Sequence, residues 1–240
     1  MPQALNPYSQ AMLDYWHGDS EATYSIRRDD GFSQEIRVAP SFDTSHFNPL
    51  EQLAMSCSTG RILDTGAGVG RHTLFLQQSG RNVTALELEP ELAAIMLERG
   101  VEKSFANNIF TLEGVQFDTI LMLMNGFGLV GTLAGADAFF EHARHLVSPE
   151  GQILCDSLDV RRTTNPTHLA LQQSNLRMGK PIGQMNFCIK YQGKCGEPFD
   201  WLHLDFGGLS DLARNHGWTA ELLAQEENGH YLAKLVMGSV

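Results

Sequence analysis

Residues 61–71, Arg-Ile-Leu-Asp-Thr-Gly-Ala-Gly-Val-Gly-Arg, constrain the fold of this chain more than any other stretch. Arg61 to Thr65 read as a short buried strand. Gly66, Gly68 and Gly70 then make a loop with almost no side chains. A helix follows at once, with Leu74, Phe75 and Leu76 on its apolar side and Gly80 as its stop. Glycine lets backbone approach a ligand closely, and a helix start presents free N–H donors and a partial positive charge. Strand, bare loop and helix N-terminus together predict a cofactor cradle.

Beyond that loop the elements alternate. Asn82 to Glu87 is rich in β-formers and predicts a second strand. Pro90, at a favoured first helical position, starts a helix that runs to Arg99 and closes at Gly100. Ser104 to Ala106 is a weak third strand. Phe117 to Met124 is largely apolar, as a parallel strand buried on both faces should be. Leu133 to Val147 predicts a helix, Ser148 to Gly151 a turn, and Gln152 to Ser157 a fifth strand. Such alternation implies right-handed crossovers and an open, mostly parallel sheet, with ligands at the carboxyl ends of its strands. Residues 158 to about 205 break the rhythm. There Asn186 to Tyr191 and Phe199 to Leu204 predict two strands joined by a Gly-rich turn. Leu209 to His216 is a last helix, and Glu227-Asn228-Gly229 turns a closing hairpin.

Net charge is −11, from 17 Lys and Arg against 28 Asp and Glu. A nucleic-acid binder needs clustered basic residues, so nucleic acid is not an expected partner. Apolar runs fall short of the ~20 residues that span a bilayer, and no membrane partner is expected. The first residues, Met-Pro-Gln-Ala-Leu-Asn, carry no signal-peptide pattern. Cys57, Cys155, Cys188 and Cys195 have no metal spacing and read as four reduced thiols, which suits a cytoplasmic protein, although Cys188 and Cys195 could face each other across a hairpin. His142 and His145 share a helix face but read as solvated surface, so no metal is expected.

Two details bear on the cofactor. The glycine spacing is GxGxG, whereas the dinucleotide pattern GxGxxG would put its third glycine at Arg71. Asp64 stands two residues before the first glycine, where a carboxylate suits a cationic amino group better than a pyrophosphate. Glu87, 17 residues past Gly70, can accept hydrogen bonds from both hydroxyls of a ribose.

With these pieces the chain resembles the class I S-adenosylmethionine (SAM)-dependent methyltransferases. The matching stretches are 63–70, Val-Thr-Ala-Leu-Glu-Leu-Glu-Pro at 83–90, Phe-Asp-Thr-Ile-Leu at 117–121, Leu-Val-Ser-Pro-Glu-Gly-Gln-Ile-Leu at 146–154, and Leu-Ala-Arg-Asn-His-Gly-Trp at 212–218. The resemblance implies a Rossmann-like, doubly wound, seven-stranded, mostly parallel α/β sheet with an antiparallel C-terminal hairpin. The resemblance covers roughly 60–157 and 207–238; with the element pattern, the chain divides into an N-terminal arm or lid (1–58), a cofactor-binding core (59–157), a β insertion on the substrate side (158–206), and the last helix and hairpin (207–240). The resemblance implies SAM as cofactor and S-adenosylhomocysteine (SAH) as product. Gly66, Ala67 and Gly68 would meet the methionine part, Asp64 its ammonium, Glu87 the ribose, and Leu88, Asn108 (or Asn107) and Ile109 the adenine. Met124 and Asn125 would flank the transferred methyl.

No catalytic residue is fixed by the sequence. His17 in the arm and Asp159 beyond the fifth strand are candidates, while Asp156, Arg161 and Arg162 are candidates for substrate contacts. Methyl transfer needs alignment and water exclusion more than a dedicated base. The aromatic arm and insertion, with the acidic composition, point to a small-molecule acceptor, methylated on O, N or C by a monomer or homodimer. Other readings are a non-methylating use of SAM such as cyclisation, a non-catalytic SAM-binding protein, and a nicotinamide oxidoreductase, which the glycine spacing disfavours.

Overall fold

In the computed structural model, residues 6–238 are described; the leader expectation for Met1 to Leu5 lies outside them. In chain order the elements are α1 (Pro7–Trp16), β1 (Thr23–Arg28), β2 (Ser33–Arg37), α2 (Ala39–Phe42), α3 (Pro49–Cys57), β3 (Arg61–Thr65), α4 (Arg71–Gln78), β4 (Asn82–Glu87) and α5 (Pro90–Glu98). Then come β5 (Ser104–Ala106), β6 (Phe117–Met122), a 3-10 turn at Gly126–Val130, α6 (Leu133–Leu146), β7 (Val147–Leu158) and α7 (Pro166–Arg177). The chain closes with β8 (Gln184–Tyr191), β9 (Lys194–Cys195), β10 (Phe199–Leu202), α8 (Phe206–Asn215), β11 (Trp218–Gln225) and β12 (His230–Met237).

Seven strands form the main sheet in the order β11-β12-β7-β6-β3-β4-β5. β3 runs parallel to β4 and β6, and β7 parallel to β6, while β12 and β11 close one edge antiparallel. This is the doubly wound sheet expected from the sequence. Ile62, Leu63, Ile120, Leu121, Ile153 and Leu154 are wholly buried on its central strands, and each such side chain contributes about 1.5–3 kcal/mol of burial. One face is covered by α6 and α8 through Phe139, Phe140, Leu146 and Leu209. The other is covered by α3 and α4 through Leu50, Ala54, Met55 and Leu76. Helix α3, assigned to the arm by sequence, thus packs in the core layer. The predicted turn at Ser148 to Gly151 sits inside β7, where the pairing jumps from Phe117 with Val147 to Thr119 with Gln152.

The arm and the insertion form a second sheet together, in the order β10-β8-β1-β2 with β9 beside β8. β1 pairs antiparallel with β8, Ile26 opposite Ile189, and β8 with β10, Trp201 opposite Met185. Directly opposed residues share a face, so Tyr24, Ile26, Met185, Phe187, Ile189, Phe199 and Trp201 line one side. Helix α7 was not predicted; its residues are largely exposed and it lacks an apolar stripe. The four-thiol expectation is corrected as well. Cys188 and Cys195 are joined as a disulfide across the β8–β9 turn, leaving Cys57 and Cys155 free. The argument for a reducing compartment loses half its cysteines. No described helix is long and apolar enough to cross a membrane.

Candidate active site

β3 is the point where strand order reverses, with β4 and β5 on one side and β6 and β7 on the other. The site is built from the loops at the carboxyl ends of these strands. Gly66 and Gly68 have φ of +68° and +57°, a left-handed conformation that side chains resist. The N–H groups of Gly66 and Ala67 both donate to Leu86 O, at 2.9 and 3.1 Å. That of Gly68 donates to Glu87 Oε2 at 2.8 Å. These three N–H groups are therefore used within the protein.

Asp64 is buried and accepts the Thr73 hydroxyl at 2.6 Å. Glu87 Oε1 accepts the N–H groups of Leu88 and Glu89, at 2.8 and 3.1 Å. Burial pushes the Glu87 carboxyl upward against these bonds. Lone pairs remain on both oxygens for further donors. Leu88 is 60% exposed beside it. Across the site, Asn108 Oδ1 accepts the Phe110 N–H at 3.0 Å, and Asn107 Oδ1 accepts the Asn108 N–H. Both Asn side chains therefore shape a turn, and Ile109 is buried in the core beneath them.

β3 and β6 each end on an orphaned polar atom: Thr65 Oγ1 and Asn125 Oδ1 are buried without a hydrogen-bond partner. Met124 and Asn125 have φ of +64° and +61°, a strained conformation outside glycine. The Met124 side chain is pushed out and is 56% exposed. Asp156 holds this turn, its Oδ1 accepting the Gly126 N–H at 3.0 Å. Burial raises the Asp156 carboxyl to about 6, offset in part by backbone N–H groups and by His72. Leu129 leans over Gly66, its Cδ1 3.0 Å from where a Cβ would stand.

Two further groups surround the cradle. Behind it, Glu51 pairs with Arg71 and, at 2.8 Å, with His72 Nε2. Burial works against the Glu51 charge, but His72, the Asn48 N–H and Arg71 bring its carboxyl down to about 2. His72 is thus structural, as its place in the first helical turn suggested. Over the cradle lies α1. Asn6 and Ser9 bond Glu89 at 3.4 and 3.3 Å, and the Tyr8 hydroxyl is 3.7 Å from the Cβ position of Gly68. Tyr8 stacks edge-on with Tyr24 of the second sheet, 5.4 Å between centroids. Sequence reasoning missed this role of Tyr8; the signal was Asn6-Pro7, a helix cap that places Tyr8 in the first turn.

The two catalytic candidates do not meet in the cradle. His17 caps the C-terminus of α1 and is exposed, beside Trp16, which bonds Glu98 at the far end of α5. Asp159 is paired with Arg161 at 2.7 Å and Arg162 at 3.7 Å, so those arginines are occupied at Asp159. A separate cleft of about 630 Å³ opens beside α7, lined by Asp29, Asp30, Asn175, Met185 and Asp200 among others.

The cradle matches known architecture. No family model matches the chain, and no curated protein does. Among solved structures, a SAM-dependent methyltransferase from Bacteroides fragilis in complex with SAH is 33% identical, with a TM-score of 0.87, over 100% of this chain and 98% of that one. The CcbJ methyltransferase of Streptomyces caelestis is 11% identical with a TM-score of 0.61, over 82% of this chain and 93% of its own. The glycopeptide N-methyltransferase MtfA with SAH is 17% identical with a TM-score of 0.56, over 78% and 88%. The last two share the fold alone. The first, alike in sequence and structure from end to end, shows the family: this chain belongs to the SAM-dependent methyltransferases, enzymes with S-adenosylmethionine as cofactor.

Proposed function

We propose that the chain methylates an O, N or C atom of a small molecule. The observation that carries this reading is the carboxylate-lined glycine cradle at the carboxyl ends of β3 and β4. Gly66, Ala67 and Gly68 turn their N–H groups inward, and Asp64 and Glu87 present buried carboxylates. Such a groove fits an ammonium joined to a ribose. Bound there, SAM supplies an electrophilic methyl on a sulfonium. Glu87 would hold the ribose, Leu88 and the Asn107–Ile109 turn would flank the adenine, and Asp64 would offset the ammonium from beneath the loop. Met124 and Asn125, fixed by Asp156, would orient the acceptor beside the methyl. Leu129 and Tyr8 would exclude water.

The acceptor is read as small and partly apolar because the aromatic face of the second sheet is tied to the cradle at both ends. Tyr24 packs on Tyr8, and Trp201 lies against Gly128, in the turn after β6. Phe187, Phe199 and Trp201 follow at centroid spacings of 6.1 and 6.2 Å. An aromatic face tied to the cradle in this way suits a planar or apolar molecule.

Calorimetric titration with SAM, SAH and NADH tests the reading. SAM and SAH should bind at micromolar concentration and NADH should not. Binding of NADH alone, or of none of the three, would overturn it. A library of small amines, phenols and carbon acids, assayed for SAH release and methylated product, tests the acceptor class.

A further inference from the structure

Outside the cradle, the disulfide between Cys188 and Cys195 stands where a dithiol can reach it. Cys188 is half-buried in the middle of β8, and Cys195 is exposed at the end of β9. Two cations frame the bond. Arg27 of β1 is paired with Cys188, and Lys190 of β8 with Cys195. Paired residues share a face of a sheet, as do residues two apart on one strand. Arg27, Cys188, Lys190 and Cys195 therefore lie on one face. Nearby cations favour thiolates, and an exposed disulfide whose leaving sulfur is stabilised as a thiolate exchanges readily. The free cysteines differ: Cys155 is buried, and burial pushes its thiol up.

The hairpin that carries this bond holds helix α1 at both ends. At one end, Gly196, the residue after Cys195, lies against the first residue of the helix. A Cβ on Gly196 would stand 3.1 Å from Pro7 Cδ. The Gly196 N–H donates to Ile189 O, next to Cys188, at 2.8 Å. At the other end, Asp14 accepts the Tyr191 hydroxyl at 2.8 Å and the Gln192 amide at 3.1 Å. Between them, Ile189 and Tyr191 share a hydrophobic cluster with Ala11 and Met12. Helix α1 in turn lies over the cradle, with Tyr8 above Gly68 and Ser9 on Glu89. β9 has only two residues and pairs with β8 alone among the described residues. The crosslink is thus the covalent tie that keeps Gly196 beside β8 and against Pro7.

We propose that the Cys188–Cys195 bond is a dithiol-exchange site that sets how tightly α1 closes over the cofactor. A thiolate of the dithiol attacks the exposed Cys195 sulfur. A new S–S bond forms there as the Cys188–Cys195 bond breaks, and Cys188 leaves as a thiolate that takes up a proton. The second thiolate of the dithiol then attacks its own sulfur in the mixed disulfide, and Cys195 leaves and is protonated in turn. Both cysteines are reduced, and one dithiol is oxidised to its disulfide. In the oxidised chain Gly196 holds Pro7, and Tyr8 stays over Gly68. In the reduced chain the stretch around Gly196 leaves β8 more easily, and α1 loosens. The proposal rests on the methyltransferase reading for the identity of the ligand beneath α1.

The test compares the full chain, air-oxidised or treated with dithiothreitol, well below its Tm. N-ethylmaleimide labelling in denaturant, read by mass spectrometry, should add two labels to the oxidised chain and four to the reduced one. By calorimetry, SAH should bind the reduced chain at least about fivefold more weakly. Amide exchange at Ala11 and Met12 should quicken on reduction, while that of β3 and β6 stays unchanged. Cys195→Ser should behave as the reduced chain and ignore dithiothreitol, whereas Cys57→Ser should respond as wild type does. Four labels without reductant, or a dithiothreitol response that survives Cys195→Ser, overturns the proposal. So does a lower Tm on reduction with SAH affinity unchanged, because that marks a crosslink that only stabilises. Failure of SAH to bind either state would sink the methyltransferase reading separately. Exchange at Ala11 and Met12 would then decide the proposal alone, and equal exchange in the two states would end it.

Discussion

Glu87 gathers three backbone N–H groups, from Gly68, Leu88 and Glu89, onto one buried carboxylate. Truncating it removes the carboxylate proposed to hold the ribose and frees those donors at once. Hydrogen bonds to a charged group are worth about 1.5–3 kcal/mol each, so Glu87→Ala should weaken SAH binding about 10- to 100-fold by calorimetry. An unchanged affinity would remove Glu87 from the site. Asp156 works on a different variable. Its folded value, about 6, lies above the ordinary carboxylate value of 3.8. The folded state therefore binds the extra proton, and stability falls as pH rises from about 4 to 6. Asp156→Asn keeps an acceptor for the Gly126 N–H without the charge. It should raise stability at pH 7.5 by about 1–3 kcal/mol, read as a higher Tm, and change little at pH 4.5. His203 has the opposite sign. Its folded value is about 4 against 6.5, so the unfolded chain takes the proton and stability is lost as pH falls from 6.5 toward 4. Ring NMR would read that midpoint directly. Glu87 and Asp64 stand out in the sequence because a short motif fixes their spacing to the glycines. The place of Tyr8 over the cradle does not, and Asp156 reads only as a substrate contact, since each owes its position to an element distant in sequence.

The turn after β6 shows how elements are coupled. A Cβ on Gly128 would stand 1.9 Å from Trp201 Nε1, so the indole of β10 lies directly on that backbone. Gly128→Ala should displace Trp201, visible as a shift in tryptophan emission, while SAH affinity stays near wild type. Unchanged emission would mean that the turn yields instead. At this scale β3 to β7 and their helices were legible because each carries its own periodicity, caps and punctuation. Pro90 opened α5 and the apolar run of β6 marked a central strand. Helix α7 was not legible, because its residues are polar, its apolar Leu169 and Leu176 are exposed, and no stripe announces it.

The molecule as a whole consists of a Rossmann-like sheet and a second sheet assembled from both ends of the chain. β1 and β2 are short and partly polar, and only β8 gives β1 its other edge. A sequence read locally sees two weak strands there and an unrelated insertion later. The pairing is set by distant packing, against α1, Tyr191 and Ile189, not by local signals. The two segments should behave as one cooperative unit. In native-state hydrogen exchange, the amides of Ser25 to Arg28 and of Phe187 to Lys190 should open with a common free energy, below that of β3, β6 and β7. Independent opening of the two would contradict it.

That pairing also sets an order of events on the ribosome. Arg27 finds its partner Cys188 about 160 positions downstream. At 5–20 residues per second, β1 waits roughly ten to thirty seconds after its own synthesis, by which time β3 to β7 have emerged and can dock. The parallel strands that carry the glycine loop can therefore pair before the second sheet closes, and the main sheet itself is completed last, when β12 docks on β7.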